Sequence, residues 1–297
     1  MVGVGGGSSI DTAKAIALLA VAGGELREYK VPHVVTTALP VIAVPTTAGT
    51  GSEATRVAVV TDTASDEKML LMGLGLLPRA ALVDFTLTLT CPYRLTADSG
   101  LDSLCHAMEA YVSRRANAFS DLHALAALRI IPTNLRAVCA DLSNRSAREQ
   151  LMNAATHAGI AFSNASVTLI HGMSRPIGGN FHVPHGLSNA MLLPAVTRFS
   201  MAGAAPRYAE CSRAMGFAQA CDDEATACAA LVGGLEALCA ELKVPTPAAY
   251  GISWAKYEGL LSTMAAQALA SGSPNNNPIV PTVAQIEELY REVYGER

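Results

Sequence analysis

Asp102 and His106 lie four residues apart in the strongly helical stretch GLDSLCHAMEAYVS. That spacing puts a carboxylate and an imidazole on one helix face, one turn apart. Further on, IHGMSRPIGGNFHVPHGLSNAMLLP carries His171 and His185, each followed by glycine, with Pro176, Gly178, Gly179 and Pro184 between them. These breakers argue against one continuous helix, and the glycines let the chain fold tightly around a shared centre. One carboxylate and three imidazoles suit Fe(II) or Zn(II) and leave positions open for a substrate oxygen. His182, three residues before His185, is expected to face the same cleft and to carry a proton through water. His33, His123 and His157 have no partner in spacing and read as structural.

Two glycine loops point to a second chemistry. In GVGGGSSIDTAK (residues 3–14) consecutive glycines stand between a short strand and a helix. Glycine lets backbone approach a pyrophosphate, and a helix amino terminus offers free N–H groups and a favourable dipole. Ser8 or Ser9 caps that helix or meets phosphate oxygens. The stretch is neither the G-x-G-x-x-G fingerprint nor a P-loop, and the same residues also make a tight turn. The second loop, PTTAGTGSEAT (residues 45–55), supplies hydroxyls at Thr46, Thr47, Thr50 and Ser52 and backbone access at Gly49 and Gly51. Such a loop after a strand suits ribose and phosphate oxygens, or a solvated turn.

The elements that would position these groups change character near residue 95. Before it, short apolar runs at 2–4, 40–44, 58–61 and 81–83 read as strands, and 11–21 has helical periodicity. Strand, glycine turn, helix, strand is the pattern of a nucleotide-binding layer. After it, segments 101–112, 120–142, 145–164, 218–242 and 283–294 read as helices. The expected fold is an α/β nucleotide-binding layer over residues 1–94, incomplete at the amino terminus. An all-helical metal-binding domain over residues 95–297 follows, with the site in the cleft between.

Composition narrows the class. The 297 residues are 51% hydrophobic and 15% charged, enough apolar material for a large core and the reverse of a disordered chain. The net charge of −4, with an isoelectric point near 6.0, argues against a general nucleic-acid or anionic-membrane binder. No uncharged apolar run approaches the ~18 residues of a membrane span, and no secretory leader is visible. Seven cysteines, an odd number without a CxxC pair, read as buried thiols in a reducing compartment. A cytoplasmic protein is expected.

Taken in order, GGGSSIDTAK, PTTAGTGSE, LTADSGLDSLCHAMEAYVS and HGMSRPIGGNFHVPHGLSNAMLLP resemble the iron-dependent (group III) alcohol dehydrogenase family. The resemblance implies a metal-dependent oxidoreductase that interconverts an alcohol and its carbonyl partner with NAD or NADP, working as a homo-oligomer. It also implies Asp102, His106, His171 and His185 as metal ligands, and Gly6, Gly7 and Ser8 as pyrophosphate contacts. Thr46, Thr47, Thr50 and Ser52 would meet ribose and nicotinamide, and Lys68 would reach the ribose. The chain departs from the family in lacking βα units before the glycine run. It has Arg175 where many members have a histidine, four residues after the third ligand, and Ile279 in place of arginine after Asn277 and Pro278. Arg175 is a permanent cation that suits an anionic substrate group or the cofactor phosphates. A hydroxyacid dehydrogenase, a hydroxyacid–oxoacid transhydrogenase and a metal-binding chain without activity are the alternatives.

Overall fold

The computed structural model describes residues 1–62 and 67–295, so the last two residues of the expected helical half lie outside the described part. The chain opens with β1 (Val2–Gly5), α1 (Gly7–Ala22) and β2 (Ile42–Pro45). Next come β3 (Val57–Asp62), β4 (Glu67–Met72) and the two-residue β5 (Ala80–Ala81). Strands β1, β2 and β5 form a parallel sheet in that order, with Val2 opposite Ile42 and Ile42 opposite Ala80. β3 and β4 form a separate antiparallel hairpin, from Val57 opposite Met72 to Asp62 opposite Glu67.

Helix α1 lies directly on β1 because Gly3 has no side chain. A Cβ there would stand 2.9 Å from the Ala13 Cβ. Ala15 and Leu18 of α1 meet Ala58, Leu71, Val35 and Leu76 in a small core between helix and hairpin. Val2 and Val4 point the other way and are exposed, as strand alternation requires. The expected strand at 81–83 shrinks to β5, and β4 is a strand that the apolar periodicity had not separated from its surroundings.

From Tyr93 the chain is helical: α2 (Tyr93–Val112), α3 (Ala118–Ala140), α4 (Arg145–Ala165), α5 (Leu169–Phe181) and α6 (His185–Ser200). It continues through α7 (Ala205–Ala214), α8 (Glu224–Glu241), α9 (Trp254–Gly259), α10 (Leu261–Ala270) and α11 (Val283–Tyr294). The starts are set by side chains. Asn117, Asn144, Asp223 and Thr282 each accept a hydrogen bond from a first-turn backbone N–H. The Asp223 cap explains why the expected helix over 218–242 begins only at Glu224. Helix α2 is buried on nearly every side, among α3, α4 and α6. Its small residues permit that packing: a Cβ at Gly100 would overlap Leu135 of α3 at 2.4 Å. The segment joining His171 to His185 is broken as expected, but only once. Helix α5 runs through Pro176, Gly178 and Gly179 and ends at His182, whose φ of 55° is left-handed. His123 of α3 and His157 of α4, read as lone residues, face each other with Nδ1 atoms 2.8 Å apart.

The second glycine loop leaves the sheet at Thr46, whose N–H donates to the Gly5 carbonyl, and is then fastened to the helices. Ser103 of α2 donates to the Gly49 carbonyl at 2.8 Å, and Thr156 of α4 donates to Glu53 at 2.7 Å. Gly51, with φ of 59°, lies backbone to backbone against Gly159 of α4, where an added Cβ would stand 2.6 Å from the Gly51 oxygen. Among the described residues no helix is long and apolar enough to cross a membrane.

Candidate metal centre and cofactor cleft

Three helices bring four side chains to one point. Asp102 and His106 come from the middle of α2, His171 from the first turn of α5, and His185 from the first residue of α6. Each offers one ligand atom, and all four atoms lie within 4.8 Å of one another. The Asp102 Oδ1 is 3.9 Å from His106 Nε2, 3.5 Å from His171 Nε2 and 3.6 Å from His185 Nε2. Asp102, His106 and His171 are buried, while His185 is half-buried and opens the cluster to one side.

The protonation states suit a cation. Burial would raise the Asp102 carboxyl, but the facing imidazoles of His106 and His185 and the His171 hydrogen bond hold it well below the carboxylate range. Burial pulls His106 down to about 4 and His185 down to about 3, so both are neutral with free lone pairs at pH 7. His171 differs: burial alone would lower it, but the Glu109 carboxylate lifts it to about 9. Glu109 meets His171 Nδ1, and also accepts from the Thr168 backbone N–H at 2.9 Å and hydroxyl at 2.8 Å. Two buried carboxylates and three imidazoles become neutral overall once a divalent cation replaces the His171 proton. The donor set therefore fits a divalent transition metal with both charge and softness matched.

Sequence reasoning missed two of the residues that hold this set. Glu109 orients His171, the usual partnership of a carboxylate behind a metal-binding imidazole. Asn189 of α6, fully buried, donates to Asp102 Oδ1 at 2.7 Å and lies 3.1 Å from His171 Nε2. Its Oδ1 has no partner among the described residues, leaving one spare oxygen donor beside the ligands. Both carried a signal: Glu109 is one turn beyond His106, and Asn189 one turn beyond His185. Glu109→Gln keeps the size and removes the charge, so metal affinity should fall about 10–100-fold. A chelator-competition titration measures this, and an unchanged dissociation constant would leave Glu109 a structural residue.

The cluster forms one end of a cavity of about 630 Å³. Phe162, Val57, Leu70 and Met72 give apolar walls, and His106 stacks on the Phe162 ring at 4.3 Å between centroids. Gly7, Ser8, Thr50, Ser52 and Lys68 also line it, as does Arg175. At the glycine run, Gly6 precedes α1 and no side chain caps that helix, so its first N–H groups are unclaimed by side chains. Gly7 and Thr50 are in close approach, since a Cβ on Gly7 would stand 2.7 Å from the Thr50 methyl. The two glycine loops thus meet at the end of the cavity that holds the α1 amino terminus.

Not every expected residue faces this space. Gly6, Thr46 and Thr47 lie behind the lining, with Thr47 against a small separate pocket. The Ser52 hydroxyl is committed, donating to Asp11 at 2.6 Å and accepting from Lys14 at 3.0 Å. His182 corrects the expectation of a proton carrier in the cleft. It is exposed just after the last residue of α5, Phe181, and is not part of the cavity lining.

Comparison with known proteins agrees with this architecture. Residues 1–85 match the family described as iron-containing alcohol dehydrogenase, and residues 96–294 match the Fe-containing alcohol dehydrogenase family, C-terminal. The chain is 36% identical to a 1,3-propanediol dehydrogenase of Citrobacter freundii, over 99% of this chain and 76% of that protein. A crystal structure of a 1,3-propanediol oxidoreductase superposes with a TM-score of 0.92 at 34% identity, over 98% of this chain and 76% of the other. A sulfoacetaldehyde reductase from Bifidobacterium kashiwanohense, solved in complex with NAD+, superposes with a TM-score of 0.88 at 27% identity, over 100% of this chain and 76% of the other. The chain belongs to the iron-containing alcohol dehydrogenases, metal-dependent oxidoreductases that interconvert alcohols and aldehydes.

Proposed function

We propose that this chain oxidises a short primary alcohol to its aldehyde, and runs the reverse reaction, with a divalent iron or zinc ion and NAD or NADP. The observation that carries the reading is the single cavity that joins the four-ligand cluster to the uncapped amino terminus of α1. Its volume of about 630 Å³ lies inside the ~300–1,000 Å³ usual for small-molecule sites.

Asp102, His106, His171 and His185 would hold the metal, and Gly7, Ser8 and Thr50 would hold the dinucleotide. When bound, the metal supplies a Lewis acid and the nicotinamide a hydride acceptor. The chain's own residues do the positioning. Glu109 fixes the His171 ring so that Nε2 faces the centre, and Asn189 fixes the Asp102 carboxylate. The α1 amino terminus, which no side chain caps, would present its N–H groups and helix dipole to an anion such as a pyrophosphate. Phe162, Leu70 and Met72 give the cavity apolar walls beside the candidate ligands.

The test is oxidation of 1,3-propanediol, the alcohol in the name of the Citrobacter relative, by NAD+ or NADP+. Protein loaded anaerobically with Fe(II) or Zn(II) should produce NADH or NADPH, and chelator-stripped protein should not. Loaded protein that binds the dinucleotide yet turns over neither 1,3-propanediol nor a panel of short alcohols would sink the reading.

A further inference from the structure

Arg175 is a charge without an obvious counter-charge. It lies on α5 four residues after His171, on the same face and about 6 Å further along the axis. It lines the cavity, and among the described residues its one hydrogen bond runs from Nη1 to the Ser273 hydroxyl at 3.1 Å. Among the described residues no carboxylate lies within ion-pair distance of it. Its nearest stabilising charge is Glu109, which is already engaged with His171 and Thr168. A half-buried guanidinium that lines a cavity and has no paired carboxylate among the described residues is available to an anion entering that cavity.

A second cation faces the same space. The Lys68 Nζ, from β4, lies 3.4 Å from the point where a Cβ on Gly178 would stand. Gly178 is three residues after Arg175, hence on the same face of α5. Burial lowers the Lys68 ammonium, and the Arg175 charge lowers it further, while the Lys68 charge is also felt at His185. Two like charges thus flank the cluster end of the cavity, with no described carboxylate placed between them. The α1 amino terminus, which suits the dinucleotide phosphates, is reached through the glycine loops instead.

We propose that Arg175, supported by Lys68, is the subsite for a carboxylate on the substrate, so that ω-hydroxy acids and their semialdehydes are preferred over neutral alcohols. The proposal rests on the alcohol–aldehyde reading above and narrows it to a substrate class. In the oxidation, HO–CH2–R–CO2⁻ and NAD+ give OHC–R–CO2⁻, NADH and a proton. The carboxylate takes no part in the electron transfer; it holds the far end of the substrate. A planar guanidinium presents two parallel N–H donors to two carboxylate oxygens, a geometry that a neutral alcohol cannot use.

The experiment compares kcat/KM for 4-hydroxybutyrate and for 1-butanol in metal-loaded wild type, Arg175→Ala and Arg175→Lys. The wild type should favour the acid. The acid-to-butanol ratio should fall about ten- to a hundredfold in Arg175→Ala and recover in part in Arg175→Lys. An unchanged ratio overturns the proposal, including the case where the defect lies in KM for NAD+, which would assign Arg175 to the cofactor. Circular dichroism checks folding, and saturation-transfer NMR of butyrate against wild type and Arg175→Lys serves if the alanine variant is misfolded. If the wild type oxidises neither these two nor 1,3-propanediol and the short-alcohol panel, the alcohol–aldehyde reading fails on its own. Butyrate binding that weakens in Arg175→Lys then upholds the anion subsite, and binding indifferent to the substitution overturns it.

Discussion

The His171→Ala protein should leave purification without its metal and with turnover reduced about a thousandfold, a loss of about 4 kcal/mol in transition-state stabilisation. Removing even a partner behind a ligand costs about 10–100-fold in affinity, and removing the ligand itself costs more. The same substitution also strands Glu109. That carboxylate is fully buried and would keep the two Thr168 contacts but lose the imidazole that neutralises it. His185→Ala separates the two effects. His185 is half-buried and, among the described residues, pairs with no carboxylate besides Asp102, so its loss should empty the site with little cost to folding. Metal analysis and denaturant unfolding of both variants test the pair. Full metal occupancy in either would remove the centre as assigned, and equal stabilities would remove the role given to Glu109.

Lys14→Met should destabilise the α/β half by about 3–5 kcal/mol, the usual penalty for removing one member of a buried charged network. Lys14 is fully buried on α1. Its Nζ lies 2.8 Å from the Ser52 carbonyl, 3.0 Å from that of Thr55 and 2.7 Å from that of Val57, and 3.7 Å from Asp11. Methionine fits the space but leaves three carbonyls and a carboxylate short of a donor. Because those carbonyls belong to the second glycine loop and β3, NADH affinity should fall with stability. Burial pulls the Lys14 ammonium from 10.5 to about 8, against the Asp11 and Glu53 charges. The unfolded chain therefore binds more protons between pH 8 and 10.5, and the Lys14 contribution to stability rises with pH across that window. Denaturant titrations at pH 7.5 and pH 10 should show the wild-type advantage over Lys14→Met growing at the higher pH. A constant advantage would mean that Lys14 stays charged throughout.

The cluster of four candidate ligands was legible because local spacing carries it: two share a helix face, and two precede glycines at a helix break. Arg175 was legible in the same way, four residues beyond His171. Glu109 and Asn189 were not singled out, although each stands one turn from a ligand. A polar residue on an amphipathic face looks the same whether it meets solvent or a neighbouring helix, and only α5 against α2 decides. Lys14 illustrates the limit more sharply. A lysine in a helix reads as solvent-facing, and its burial depends on carbonyls some forty residues away. Strand β4 was missed because MLLM is apolar without alternation, and its partner β3 is needed to define it. His182 failed for the opposite reason: proximity in sequence to a candidate ligand was taken for a shared cleft, and at the left-handed end of α5 it is exposed and outside the cavity lining.

The contact of Gly51 with Gly159 bears on how the molecule can breathe. Two backbones touching directly cannot slide by changing rotamers, so the second glycine loop must travel with α4. Three residues along that helix, Phe162 is the platform against which the His106 ring rests. A single rod thus carries the mounting of one metal ligand and the mounting of the loop that meets the glycine run. A displacement of α4 would therefore carry both together. A larger residue at either glycine would act as a shim between loop and helix, altering their spacing without touching any group that does chemistry.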